Sequence, residues 1–167
     1  KAVLRTQHAL ETNLRAAREG LILLKNEDNF LPLDQNKLKK IAVVGPNADH
    51  PLAMNGDWAA GTKQTKDCPP PARENCKTVL DGMKNNFTNG EVLYCRGSSI
   101  DHDEKSDFPT ALRYVKESDV TVVVVGDREI YWGEERSTAT LELMGDQIEF
   151  LNKIVETGKP FILDIIS

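Results

Sequence analysis

The 167-residue chain has no apolar run long enough to cross a membrane, and it has only three cysteines. Its longest apolar run, residues 120–125, has the length of a buried strand, whereas a membrane-spanning helix needs about 18 such residues. Cys68, Cys76 and Cys95 do not follow a zinc-binding or redox spacing. Cys68 and Cys76 flank a proline-rich loop, so they either close a small disulfide in an exported protein or, like Cys95, remain free thiols.

The chain also lacks an excess of positive charge and the common nucleotide-binding motifs. Its 21 Lys and Arg residues are outnumbered by 26 Asp and Glu residues, which gives a net charge of −5. Nucleic acids and anionic membranes attract basic surfaces, so neither is expected as a partner. No predicted strand is followed by a phosphate-binding P-loop, a dinucleotide-binding glycine fingerprint or a nucleophilic serine elbow. A P-loop enzyme or a dinucleotide-dependent dehydrogenase therefore has no support.

What the chain does have is an alternation of apolar strands and amphipathic helices. Strands are predicted at residues 41–44, 91–94, 120–125 and 161–166, where apolar and β-branched residues predominate. Continuous apolar strands separated by helices are typical of a parallel sheet that is covered on both faces. The predicted fold class is therefore α/β, a three-layer sandwich with a mostly parallel β-sheet flanked by helices.

Four helices are predicted from apolar residues at helical spacing. Thr78 and Asp107 are expected to cap the second and third helices. Gly20 and Gly158 are expected to end the first and the fourth. The predicted apolar faces of the first and fourth helices are, respectively, Leu10, Leu14, Ala17 and Leu21, and Ile148, Leu151, Ile154 and Val155.

Two long loops follow the first and third predicted strands, at the sheet edge where α/β proteins bind ligands. The second loop holds three Glu, one Asp, two Arg and two aromatic residues within residues 126–137. An aromatic ring can pack on the C–H face of a sugar, and an apolar setting raises the pKa of a carboxyl group so that it can act as an acid. This composition favours carbohydrate chemistry, although a solvated, charge-balanced loop has the same composition.

Two further segments carry candidate ligands. The loop after the first strand contains Asp57 and Trp58, and Trp58 is either a platform for a sugar ring or an anchor for its own loop. Residues 101–104, Asp-His-Asp-Glu, contain oxygen and nitrogen atoms that a metal ion could use. Because the side chains of adjacent residues diverge, we expect a solvated loop there and no metal site.

A series of short motifs covers nearly the whole chain. In chain order they are AAREG at residues 16–20, LLKN at 23–26, LPL at 31–33, IAVVGPNAD at 41–49, GDW at 56–58, TVLDG at 78–82, VVVVG at 122–126, LEL at 141–143 leading to Gln147, and TGKP at 157–160. In this order and spacing they resemble the second domain of glycoside hydrolase family 3, the β-glucosidase and β-xylosidase group. The resemblance implies that residues 1–167 are one such domain, incomplete at its C-terminal end and without the barrel domain that precedes it in the family. A chain that begins at Lys1 rather than at a methionine agrees with a piece of a longer protein.

The resemblance also implies an activity and a set of site residues. Family members pair a (β/α)₈ barrel with an α/β sandwich domain and hydrolyse β-glycosides with retention. The barrel supplies an aspartate nucleophile, and a glutamate on a loop of the second domain is commonly the general acid/base. That glutamate follows a glycine and lies seven residues before a Leu-x-Leu motif, which makes Glu134 the expected acid/base and Glu135 its rival. The expected substrate-binding residues are Asp57, Trp58, Trp132 and Arg136.

Two interpretations of the function follow. In the first, the chain contributes the acid/base and part of the sugar site to a β-glycosidase without a cofactor, whose substrate is a β-linked oligosaccharide or an aryl or alkyl β-glycoside. The isolated chain would then be inactive. In the second, the chain is a non-catalytic carbohydrate-binding or domain-docking module. The family implies a periplasmic or secreted location. Thr138 and Met144 stand where many relatives have Arg and Pro, a departure that bears on the conformation of the loop.

Overall fold

A computed structural model describes residues 5–56, 58–59, 76–101, 105, 107–128, 131 and 133–166. The chain divides into two compact units, Lys1–Asp34 and Gln35–Ser167. Short 3-10 helices lie at Glu27–Asn29 in the first unit and at Gln35–Lys37 and Pro51–Met54 in the second. No helix in the described residues is both long enough and apolar enough to cross a membrane.

The first unit contains helix α1, Gln7–Glu19. Thr6 caps it by accepting a hydrogen bond from the Ala9 N–H at 3.2 Å, and Gly20 follows the last helical residue as predicted. The predicted apolar face is not buried, since Leu10 is 42% and Leu14 51% exposed. The helix is therefore confirmed, but its apolar stripe is not part of a core within the described residues.

The second unit is built on four parallel strands: β1 at Lys40–Val44, β2 at Glu91–Cys95, β3 at Val120–Gly126 and β4 at Phe161–Ile166. Their order in the sheet is β2-β1-β3-β4, and β1 pairs with β3 from Ile41↔Val120 to Val44↔Val123. All four predicted strands are confirmed within one or two residues of their predicted ends. The parallel sheet with its helices is the α/β sandwich that the sequence predicts.

Three helices connect these strands: α2 at Val79–Asn86, α3 at Phe108–Glu117 and α4 at Gln147–Glu156. Thr78 forms the predicted cap of α2 as half of a capping box, because its hydroxyl accepts from the Asp81 N–H and the Asp81 carboxylate accepts from the Thr78 N–H. The predicted cap of α3 is wrong in one respect. Asp107 occupies the N-cap position, but its side chain makes no capping hydrogen bond, and its backbone has helical rather than extended angles.

The main core lies between one face of the sheet and helices α3 and α4. Its buried residues are Ala42, Val44, Cys95, Phe108, Ala111, Val115, Val123, Val125, Phe150 and Ile154. The Phe108 and Phe150 rings pack at 5.0 Å between centroids, which joins α3 to α4. The alternate residues of β1 and β3, including Val43 and Val124, are also buried, so these two central strands are covered on both faces.

The predicted inner face of α4 is confirmed only in part. Ile154 is fully buried and Leu151 packs against the core, but Ile148 is 47% and Val155 58% exposed. Gln147 and Phe150, which the prediction left out, are fully buried. Positions 147, 150 and 154 also follow helical spacing, and this stripe includes the aromatic ring. The apolar pattern alone missed this stripe because Gln147 is polar.

Both described cysteines of the second unit are free, buried thiols. The Cys76 thiol donates to the carbonyl oxygen of Pro51 at 3.0 Å, and Cys68 lies outside the described residues. Burial raises the pKa of the Cys95 thiol, although the Gly97 backbone N–H opposes this by stabilising the thiolate. The Cys95 thiol is therefore an unreactive core group.

Strand β4 is only partly covered. Leu163 is 42% and Ile165 48% exposed, and Asp164 lies between them. Burial raises the pKa of the Asp164 carboxyl above its ordinary value, because removal from water disfavours the charged form. An ionised Asp164 therefore opposes folding.

We expect Asp164→Asn to stabilise the protein at pH 7. A carboxyl whose pKa is raised by folding contributes stability below its unfolded pKa, and this contribution is lost as the pH rises through the folded pKa. The free energies of unfolding of the variant and the wild type should differ most at pH 7 and converge near pH 3. Urea unfolding measured across this pH range tests the expectation.

Asp119→Asn is the control with the opposite sign. The backbone N–H groups of Lys40 and Lys39 donate to the Asp119 carboxylate at 2.9 and 2.6 Å and lower its pKa. This variant should therefore lose stability at pH 7, and the loss should disappear as the pH falls. An Asp164→Asn variant less stable than the wild type at pH 7 would contradict the assignment of Asp164.

Candidate functional site

The loop between β3 and α4, residues 127–146, begins at a strand end that only glycine can form. Gly126 has φ of +145°, and a Cβ atom there would overlap the carbonyl oxygen of Ile166 on the neighbouring strand. The next residue stays attached to the sheet, because the Asp127 N–H donates to the Ile166 carbonyl at 3.0 Å. The loop therefore leaves the sheet from a fixed position at the carboxyl end of β3.

A side chain at the other end of the loop holds the same glycine. The Gln147 carboxamide accepts from the Gly126 N–H at 2.9 Å and donates to the Gly126 carbonyl at 3.0 Å. It also donates to the Met144 carbonyl at 2.9 Å. Because Gly126 ends β3 and Gln147 begins α4, these bonds join the two residues that flank the loop.

Two further contacts fix the first residues of the loop. The Asn47 amide, fully buried after β1, donates to the Asp127 carbonyl at 3.1 Å. Arg128 forms a partly buried ion pair with Asp101, which follows β2. The loops after β1, β2 and β3 are thus linked at one edge of the sheet, which is the edge where parallel α/β sheets bind ligands.

The expected acid/base lies in a tight turn of this loop. Gly133 has φ of +104°, Glu135 has φ of +62°, and the Arg136 N–H donates to the Gly133 carbonyl at 3.2 Å. Glu134 sits inside this turn, and both glutamates are exposed, whereas Arg136 is half-buried. A left-handed conformation at a non-glycine residue such as Glu135 costs about 1–2 kcal/mol. Strain of this kind is characteristic of functional loops.

Trp58 lies in the loop after β1. Its side chain is 68% exposed, and a turn closes around it through the Ala59 N–H and the Gly56 carbonyl at 3.0 Å. This exposure does not agree with the alternative in which Trp58 anchors its own loop to the core. An exposed indole remains available as a sugar platform.

The other expected site residues are placed less completely. Asp57 and Trp132 lie outside the described residues, as do residues 102–104. Asp101, the remaining member of the Asp-His-Asp-Glu segment, forms its ion pair with Arg128. Within the described part of the chain, no group of three or more His, Cys, Asp or Glu side chains is arranged to hold a metal ion.

Sequence reasoning missed the residues that fix the loop. Asn47 and Gln147 are both fully buried, and each bonds to a backbone group at the end of β3. The available signal was their position: Asn47 is a polar residue directly after a strand-ending Gly-Pro, and Gln147 is a polar residue at the start of an amphipathic helix. Neither position predicts a buried partner 21 or 80 residues away in the sequence.

Comparison with known proteins agrees with the resemblance. The profile of the glycosyl hydrolase family 3 C-terminal domain matches residues 21–167. A β-xylosidase from Formosa agariphila is 36% identical over 163 residues, covering 97% of this chain and 22% of the relative. The periplasmic β-glucosidase of Salmonella typhimurium is 28% identical, covering 90% of this chain and 21% of the relative.

The solved structures give the same result. A β-glucosidase involved in saponin metabolism from intestinal bacteria superposes with a TM-score of 0.87 at 32% identity, covering 98% of this chain and 25% of that one. A β-glucosidase from Listeria innocua with bound glucose superposes with a TM-score of 0.77 at 25% identity, covering 97% of this chain and 20% of that one. This chain therefore spans about a fifth to a quarter of the length of these relatives. The sandwich fold, the ordered motifs and the family match together show that the chain belongs to the C-terminal domain family of glycoside hydrolase family 3.

Proposed function

We propose that this chain supplies the general acid/base and one wall of the sugar site of a retaining β-glycosidase. The observation that carries the proposal is the position of Glu134. It is exposed in a glycine-initiated turn, on a loop whose two ends are bound to the carboxyl edge of the sheet. A carboxyl group held in this way can reach a substrate that lies outside the domain.

The chemistry needs a second carboxylate at a defined distance. In a retaining mechanism the acid/base protonates the departing glycosidic oxygen while a nucleophilic carboxylate attacks the anomeric carbon. The acid/base, now ionised, then removes a proton from the water that hydrolyses the glycosyl-enzyme. The two carboxyl groups lie about 5–5.5 Å apart in such sites. We place the nucleophile on a barrel domain of the same protein, so that docking of the two domains completes the site.

The substrate class follows from the relatives and the composition of the site. The relatives are named as a β-xylosidase and a periplasmic β-glucosidase. A β-linked oligosaccharide or an aryl or alkyl β-glycoside is therefore the proposed substrate, with Trp58 as a platform for a sugar ring. Asp57, Trp132 and Arg136 are the other proposed sugar contacts. Two carboxylates suffice for this chemistry, so the proposal includes no cofactor. The relative named as a periplasmic β-glucosidase supports an exported location.

Chemical rescue of Glu134→Ala in the full-length protein tests the role of Glu134. Without a general base, the glycosyl-enzyme formed from an activated aryl β-glycoside should accumulate. Azide is already anionic, so it can attack the anomeric carbon and displace the nucleophile's carboxylate without losing a proton. A faster turnover with a β-glycosyl azide product would support the proposal. No rescue would move the acid/base elsewhere and favour the second candidate, a carbohydrate-binding or domain-docking module.

The isolated chain of residues 1–167 should show no glycosidase turnover. A lone acid cannot form the glycosyl-enzyme, because it lacks the nucleophile. Release of 4-nitrophenol from 4-nitrophenyl β-glycosides is the measurement, with the full-length protein as the positive control. Steady turnover by the isolated chain that Glu134→Ala abolishes would contradict the division of the site between two domains.

A further inference from the structure

The buried Gln147 carboxamide has a bonding pattern that a purely packing role does not need. It uses its oxygen and both of its N–H groups on backbone atoms: the Gly126 N–H, the Gly126 carbonyl and the Met144 carbonyl. The side chain is fully buried and so are its two bonds to Gly126, so these two bonds are not exchanged easily with water. Two bonds to one residue also fix the orientation of that peptide segment, which a single bond cannot do.

The place of these bonds in the chain gives them their consequence. Gly126 is the last residue of β3 and Gln147 the first residue of α4, so they flank the whole loop 127–146. On its other edge, Gly126 pairs with Ile166 in the β-ladder. The Gln147 carboxamide thus bonds to the edge of Gly126 that faces away from Ile166, and these bonds hold the two ends of the loop together.

We propose that Gln147 is a positioning residue for the acid/base. By bonding to Gly126 it closes the base of loop 127–146, and this holds Glu134 in the position from which it can reach the glycosidic oxygen. This inference rests on the proposed function of Glu134. No other side chain of similar length both accepts one and donates two hydrogen bonds in this arrangement. Glutamate at this position would place an acceptor against two carbonyl oxygens, and methionine would leave the buried Gly126 N–H and carbonyl and the part-buried Met144 carbonyl without this partner.

The test uses Gln147→Met, Gln147→Glu and Glu134→Ala in the full-length protein, assayed on a series of aryl β-glycosides. For Gln147→Met we expect kcat/KM to fall about 10- to 100-fold on poor leaving groups, which need the proton, and less than about threefold on dinitrophenyl glycosides, which do not. For Gln147→Glu the loss should shrink as the pH falls, because the neutral carboxyl can donate one hydrogen bond. This second variant also keeps the test valid if Gln147→Met folds poorly.

Ile154→Val is the matched control. Ile154 is fully buried on the same helix, but it makes no bond to Gly126, so this variant weakens α4 without opening the base of the loop. It should leave the dependence on the leaving group unchanged. Suppose that Gln147→Met lowers kcat/KM equally for all leaving groups, whereas Glu134→Ala lowers it selectively for poor ones. This result would overturn the positioning role of Gln147 but not the proposed function of Glu134. If Glu134→Ala shows neither selectivity nor azide rescue, the proposed function and this inference both fail.

Discussion

Glu134→Ala in the full-length protein is expected to lower kcat/KM on β-glycosides with poor leaving groups by about 10²–10⁴-fold. The reason is that an alkoxide or weakly acidic phenoxide leaves slowly unless its oxygen is protonated as the bond breaks. A dinitrophenolate leaves without help, so its kcat/KM should hardly change. A plot of log kcat/KM against the pKa of the leaving group, flat or shallow for the wild type and steep for the variant, is the measurement.

Glu135→Ala is the matched control for this prediction. Glu135 is the next residue, also exposed, and it carries the left-handed backbone that the turn requires. Its removal should change the loop conformation modestly and leave the dependence on leaving-group pKa close to that of the wild type. If Glu135→Ala steepens the plot and Glu134→Ala does not, the two residues exchange roles. Uniform losses in both variants would leave the loop with a binding function only.

Phe150→Ala is expected to destabilise the protein by about 3–5 kcal/mol. The Phe150 ring is fully buried between the sheet and α3, against Phe108. A Cβ atom on Gly97 would overlap the Phe150 ring, so the Gly97 backbone packs directly against this ring. Removing the ring therefore takes away buried contacts and leaves a cavity. Chemical or thermal unfolding of the purified protein measures the loss.

Ile148→Ala tests the part of the predicted face of α4 that the structure leaves exposed. Ile148 lies on the same helix but is 47% exposed, so its truncation should cost less than about 1 kcal/mol. If Ile148 were buried in place of Phe150, the order of the two effects would be reversed. A loss for Ile148→Ala as large as that for Phe150→Ala would contradict the orientation of the helix.

The strands were predictable because their signal is local and strong. Residues 120–125 are all apolar or β-branched, and a strand buried on both faces needs that pattern and little else. The loop carrying Glu134 could also be located, since it follows this strand at the ligand-binding edge. The choice of Glu134 as the proposed acid/base required the family motif, because its neighbour Glu135 has the same chemistry.

The orientation of α4 and the bonds at the base of the loop could not be predicted in the same way. An apolar pattern treats Gln147 as a surface residue, yet its carboxamide is buried and bonded to the N–H and carbonyl of Gly126, 21 positions earlier, and to the Met144 carbonyl. Asn47 depends on a partner 80 residues later. Such partners exist only after the sheet has brought β1 and β3 together, so no window of sequence contains them.

The carboxylate in the middle of β4 bears on how the purified domain behaves in solution. Among the described residues β4 is the last strand on one side of the sheet, and two of its apolar side chains are about half exposed. A strand of this kind can add a strand from another molecule, and a charge that points inward from it is one of the ways natural sheets prevent this. Because burial raises the pKa of Asp164, mild acidification removes that charge before most surface carboxylates are neutralised. Self-association of the isolated domain through this strand should therefore be weakest near neutral pH, where Asp164 carries its charge.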